Sequence, residues 1–255
     1  MTRIELNQVS RTYENQRGER IEALRDVSLE IDDGELVCLL GPTGCGKTTL
    51  LRLIAGLESP DAGTIAIANE QVTGIRSDVT LLFQQYSLFP WRTVLENVAF
   101  GLEMKGMARV DREKAARQVL AQVGLSGFEK TYPHELSGGM QQRTALARAL
   151  AYQPRLLLMD EPFGALDDRT RHRLQAELLA LRQRSGQSIL FVTHAIDEAV
   201  FLADRIVILR DRPGAIEAVL TVEMPRPRDR QSAEFVALHL KVRAILEGII
   251  EQPEI

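Results

Sequence analysis

Cysteine is nearly absent from this 255-residue chain: Cys38 and Cys45 are the only two. They stand seven positions apart with no His or Cys partner at metal-ligand spacing, which argues against a disulfide framework or a structural zinc site and for free thiols in a reducing compartment. An excess of positive charge is missing too. Asp and Glu (35) outnumber Lys and Arg (31), leaving a net charge of −4, and the basic residues are scattered, so no stripe points to nucleic acid. No apolar run approaches the ~20 residues that span a bilayer. The opening "MTRIELNQVS" has no secretory apolar region, so a chain that stays in the cytosol is expected. Internal repeats and low-complexity tracts are also lacking. What is present, 45% hydrophobic and 26% charged residues, is the balance of a globular chain, long enough for one large domain or a domain with a substantial insertion.

The first third reads as β-rich. "RIELNQVS" alternates, "IEALRDVSLEI" does so less cleanly, and "ELVCLL" is a continuous apolar run that suits a strand buried on both faces of a parallel sheet. "TTLLRLIAGL" has helical spacing with Gly56 as its stop. "PDAGTIAIANEQV" predicts a hairpin with Asp61, Ala62 and Gly63 as its turn, and "DVTLLFQ" a further short strand. From about Trp91 to Gly127 two amphipathic helical stretches follow one another with no strand between, which predicts a helical insertion in an α/β domain. "RLLLMDEP", "SILFVTH" and "RIVILRD" then alternate with helical segments, as parallel strands with crossover helices do. After the Pro-rich "MPRPRDR" comes an amphipathic helix with Phe235, Leu238, Val242, Ile245 and Ile249 on one face, expected to pack on the domain.

Several short stretches carry chemistry. "GPTGCGKTT" (Gly41, Pro42, Thr43, Gly44, Cys45, Gly46, Lys47, Thr48, Thr49) follows a buried strand and opens a helix. Its glycines let successive N–H groups converge on a nucleotide's phosphates, Lys47 reaches the outer ones, and Thr48 offers its hydroxyl to Mg²⁺. Cys45 lies inside this loop and has two readings: an ordinary unreactive thiol, or one whose pKa is lowered by helix-terminal N–H groups, the first being preferred. "LLLMDE" delivers Asp160 and Glu161 at a strand's carboxyl end, where ligands sit in open α/β sheets. Asp160 suits Mg²⁺ through water, and Glu161 suits polarisation of an attacking water. "FVTH" and "LLFQ" end in the same way at His194 and Gln84, candidates for a γ-phosphate contact, Gln84 also for a metal-bound water. Tyr13, the only aromatic before Phe83, is either a stacking partner for a base or a strand aromatic covering a sheet edge. A second anion cradle opens at Ser137, Gly138 and Gly139, far from the first; taken alone, the stretch reads first as a helix cap.

In order, Tyr13, "GPTGCGKTT", "FQQ", "LSGGM", "LLLMDEP", "GALD" and "VTH" resemble the ATP-binding subunit of an ABC transporter, over roughly Ile4 to Ile250. The resemblance implies a P-loop NTPase core with an N-terminal antiparallel β subdomain (together 1–90 and 154–230), an inserted α-helical signature subdomain (91–153) and a C-terminal helix (231–255). It implies ATP and Mg²⁺, and a head-to-tail dimer, expected to be of identical subunits. There Ser137, Gly138 and Gly139 contact the ATP of the other subunit and Asp167 links the two sites. Glu161 resembles the family's catalytic base, with Gln84 and His194 as γ-phosphate sensors. It further implies integral membrane permease partners, a solute-binding protein met indirectly, and a peripheral place on the cytoplasmic face of the inner membrane. "SLFPWRTVLENVAFGLE" and the "RPGAIEAVL" ending resemble the nitrate, sulfonate and taurine importers, whose solutes are small and anionic. On this reading Leu88, Phe89 and Trp91 rim a permease groove, with Phe89 partly buried and Trp91 at the interface. Met140 departs from the commonest signature, which has Gln there, and the short stretch after the "MPRPRDR" ending leads us to expect no long regulatory domain of the kind some sugar-importer ATPases carry. Two other classes compete: a soluble ABC-type ATPase acting on DNA or ribosomes, and a P-loop kinase. The coiled-coil insertion, zinc ligands or second ATPase copy usual in the former are not in the sequence.

Overall fold

The computed structural model describes residues 3–15, 17–83, 86–164 and 166–251. The chain divides into two compact units, Met1–Val79 with Ser188–Ile255, and Thr80–Gln187.

The first unit holds two sheets. Strands β1 (Ile4–Glu14), β2 (Arg20–Ile31), β4 (Ala62–Ile67) and β5 (Glu70–Gln71) form an antiparallel sheet in the order β2-β1-β4-β5. Alternation along β1 and β2 buries Ile4, Leu6, Val9, Leu24, Val27, Leu29 and Ile31. The predicted hairpin forms, but its turn is not at Asp61–Gly63. Ala68 and Asn69, both at positive φ (55° and 63°), make the two-residue connection between β4 and β5. Asp61 instead accepts from Arg11 Nη1 and from the Thr12 backbone N–H, both at 2.7 Å, tying the start of β4 to β1.

The other sheet of this unit places β10 (Ile216–Thr221), β9 (Arg205–Leu209), β3 (Leu36–Leu40) and β8 (Ser188–Val192) side by side. β3 lies parallel to both β8 and β9, with Leu39 opposite Val192 and Val207. Every residue of β3 and β8 is buried, as a strand covered on both faces requires. Strand β10, antiparallel to β9, was not legible as a strand: it lies at the sheet's margin and every second residue is exposed. Helices α1 (Lys47–Ile54), α6 (Ile196–Leu202) and α7 (Ala233–Ile250) complete the unit. On α7 Phe235 and Val242 are buried and Leu238, Ile245 and Ile249 half-buried, so the expected face does pack. The "MPRPRDR" segment is more than a break. Arg228 is buried and donates to the carbonyls of Val200, Phe201 and Ala203, satisfying the orphan C-terminal carbonyls of α6.

The second unit contains α2 (Val94–Met104), α3 (Arg109–Gln122), α4 (Gly138–Tyr152), the buried strand β7 (Leu156–Asp160), α5 (Asp168–Ser185) and most of β6 (Val79–Leu82). α2 begins in a capping box: Thr93 Oγ1 accepts from the Glu96 backbone N–H, and Glu96 accepts from that of Thr93. Arg143 of α4 donates to the Val123 and Gly124 carbonyls, closing the end of α3. No helix among the described residues is long and apolar enough to cross a membrane.

Candidate functional site

In the first unit the glycine-rich loop leaves the carboxyl end of β3. Gly46 caps α1 with φ 95°, and a Cβ there would lie 2.7 Å from the Ala23 carbonyl oxygen, so no larger residue fits. α1 has neither a side-chain cap nor an acidic residue in its first turn, which leaves its N-terminal N–H groups and positive dipole end to an anion. Thr43, Gly44 and Thr48 face outward. Lys47 is buried, and its ammonium donates to the carbonyls of Gly41 (2.8 Å) and Pro42 (2.7 Å). Of the two readings of Cys45, the unreactive thiol is the one the structure favours. Cys45 is buried, and loss of hydration, which disfavours the thiolate, outweighs the nearby Lys47 charge and holds the thiol above its ordinary range.

Tyr13 sits at the end of β1, partly buried, with its hydroxyl bonded to the Glu58 carboxylate and the Arg11 guanidinium 4.9 Å from its ring centre. Burial, then the Glu58 bond, raises the phenol pKa against the opposing effects of Thr49 and Arg11. The Thr49 side chain, on α1, hydrogen-bonds the phenol and so ties it to the helix that follows the phosphate loop. His194 stands exposed two residues beyond β8, at the same sheet edge from which the loop departs. Its turn is fixed from behind: the Thr193 N–H donates to the Leu39 carbonyl (3.3 Å), and the Thr193 hydroxyl accepts from the Ala195 N–H and donates to buried Glu198 at 2.6 Å.

In the second unit β7 ends at buried Asp160, and Glu161 follows with φ 48°, a left-handed backbone costing a non-glycine residue about 1–3 kcal/mol. Such strain persists where the surrounding fold dictates a side chain's aim. Ser137 caps α4 by accepting from the Met140 N–H, and both Ser137 and Gly138 are exposed, so the helix N-terminus faces outward. Asp167 caps α5 through the Thr170 N–H (3.0 Å), which lowers its carboxyl pKa. Gln84 lies outside the described residues. Phe89 is half-buried, as expected, 4.6 Å from Phe100 between ring centres, and Trp91 is 72% exposed. The turn that carries them is held by Asn97, fully buried on α2, which accepts from the Phe89 N–H (2.8 Å) and donates to the Phe89, Arg92 and Thr93 carbonyls. That residue was missed, although an Asn inside the apolar run "VLENVAFGL" was the available signal.

A family model described as "ABC transporter" matches residues 24–164, more than half of the chain. The chain belongs to the ABC transporter family. Among relatives, it is 52% identical to a taurine import ATP-binding protein, TauB, of Yersinia pestis, over 91% of this chain and 93% of that one. It is 44% identical to the nitrate import ATP-binding protein NrtD of Synechocystis, over 96% and 95% of the two chains. Its fold matches a solved dimeric ATP-binding cassette, MJ0796, in a post-hydrolysis state bound to ADP and phosphate. That match has a TM-score of 0.79 and 34% identity, covering 87% of this chain and all of the other.

This ABC subunit is an ATPase, with the P-loop α/β fold, antiparallel β-sheet and helical elements of its structural relatives. Its glycine-rich loop offers backbone N–H groups, a helix dipole and one lysine ammonium. Those features suit a polyphosphate, whose charge is spread over many oxygens.

Proposed function

We propose that this chain powers an importer of a small anionic solute of the nitrate, sulfonate or taurine kind, docked at the cytoplasmic face of the membrane on a separate integral permease. The end-to-end similarity to nitrate and taurine import subunits carries this reading. A solute-binding protein would meet the permease and not this chain.

Roles follow residue by residue. The backbone of Gly41–Thr49 wraps the phosphates, every residue but Pro42 having an N–H to offer, and Lys47 neutralises the outer ones. Tyr13 offers its ring to the base. The Thr48 hydroxyl, the Asp160 carboxylate and the Gln84 amide oxygen are each a hard oxygen donor of the type Mg²⁺ takes. Mg²⁺, when bound, neutralises charge on the phosphate oxygens. Glu161 accepts a proton from the attacking water, and His194 and Gln84 hydrogen-bond around the γ-phosphate.

The second cradle finds its use in a dimer. Ser137, Gly138 and Gly139 expose a capped helix N-terminus to the γ-phosphate held by a second, identical copy arranged head to tail, and Asp167 bridges the two sites. ATP closes the pair and hydrolysis lets it reopen, moving a permease seated against exposed Trp91. Gentle affinity capture of the tagged chain from native membranes, followed by mass spectrometry, tests this. A multi-spanning protein in near-equal amount is expected. A chain that comes off alone, or with DNA or ribosomes, would remove transport and leave the ATPase.

A further inference from the structure

None of the ordered motifs includes the turn between β9 and β10, yet it lies directly beneath the phosphate loop. Arg212 Nε donates to the Gly44 carbonyl at 2.8 Å. Its guanidinium also covers the Gly44 Cα closely enough that a Cβ there would lie 3.0 Å from Arg212 Nη2. Two residues on, Gly214 abuts the Cys45 carbonyl so tightly that a Cβ on Gly214 would sit 2.0 Å from that oxygen. The turn is itself held by β2: the Gly214 N–H donates to the Ala23 carbonyl and the Arg25 N–H to the Gly214 carbonyl, both at 3.0 Å.

A trans peptide is planar, so fixing its carbonyl fixes the N–H pointing the opposite way. The Gly44 carbonyl belongs to the same peptide as the Cys45 N–H, and the Cys45 carbonyl to the same peptide as the Gly46 N–H. With both carbonyls turned to the Arg212–Gly214 strap, both N–H groups are turned away from it, into the loop. There the Cys45 N–H meets the Pro42 carbonyl at a long 3.4 Å, a bond weak enough to yield to an anion. Aligned amides of this kind are how a glycine-rich loop holds phosphate.

We infer that Arg212 is a positioning residue, which with Gly214 sets the orientation of the Cys45 and Gly46 amides for nucleotide phosphates without touching the nucleotide. The inference rests on the phosphate-loop assignment above. It explains why the position carries a long side chain with a donor at its fourth side-chain atom, and why Gly214 tolerates no Cβ.

The substitution Arg212→Gln separates positioning from direct anion contact, because Gln places Nε2 at the same position along the side chain as Arg Nε, but carries no charge. Binding of fluorescent MgADP and MgATP to the purified chain should weaken roughly tenfold in Arg212→Ala, the scale of one lost charge-assisted hydrogen bond. Arg212→Gln should stay within about threefold of the parent chain, while Arg212→Lys, which keeps charge but lacks the planar donor at that atom, should resemble Ala. In ATPase assays KM should rise with kcat largely kept. Arg212→Ala binding as the parent does while folded, or Lys restoring affinity better than Gln, would overturn the inference. If Arg212→Ala fails to fold, the Gln and Lys pair alone decides. Undiminished binding by Lys47→Ala would instead remove the phosphate-loop assignment.

Discussion

The Lys47 ammonium lies 2.8 Å from the Gly41 carbonyl oxygen, curled over the loop that both residues belong to. A second carbonyl, that of Pro42, shares it at 2.7 Å. Neutral carbonyls satisfy this charge without neutralising it, so the side chain is held ready for a stronger, anionic acceptor. Lys47→Ala should therefore lower MgATP affinity by roughly two orders of magnitude. Isothermal titration calorimetry measures this directly, and unchanged affinity would show that the loop binds no phosphate.

Glu161→Gln keeps the size of the side chain and the strained backbone at φ 48°, so its melting temperature should hardly move. If Glu161 takes the proton from water, turnover should fall about 10²–10⁴-fold while MgATP binding persists. A long-lived dimer should then accumulate and be visible by light scattering. A variant that stays monomeric under saturating MgATP would count against dimer closure.

Ser137→Arg places a bulky cation on the exposed α4 N-terminus and removes its cap, at about 1 kcal/mol. The isolated monomer should bind ATP as before and fail to pair. Loss of ATP binding by the monomer would mean that the second cradle serves its own subunit.

Cys45 is buried, and burial holds its thiol above the ordinary cysteine range. The reactive thiolate is therefore scarce near neutral pH, and its fraction rises only at more alkaline pH than for a free thiol. Alkylation by iodoacetamide at pH 8 should be slower than that of free cysteine and should accelerate on denaturation. Rapid labelling of the folded chain would contradict the burial.

Arg228→Ala removes donors to the Val200, Phe201 and Ala203 carbonyls at one buried position. Leaving these acceptors and a cavity behind should cost about 2–4 kcal/mol. Denaturant unfolding should show this as a lower midpoint. Loss of under 0.5 kcal/mol would mean that water replaces the guanidinium.

Local features are legible in the amino acids alone. Glycine spacing between a buried strand and a helix marks the phosphate loop, and a run of five apolar residues marks β3 and its sheet. A serine before two glycines marks the capped turn of α4, and the order of these pieces identifies the family. Each signal is written within about ten neighbouring residues, where backbone conformation and burial period act directly on composition. Contacts that join distant segments arise only once the chain has packed. Asp61 left the hairpin turn because Arg11 and Thr12 claim its carboxylate. Burial overrode the loop's amides at Cys45. Asn97 pins the turn that presents Trp91, and Arg212 reaches Gly44 across 168 positions of chain. Such contacts leave no periodic trace, since a hydrogen bond between remote residues needs only one donor and one acceptor brought together by the packing of everything between them.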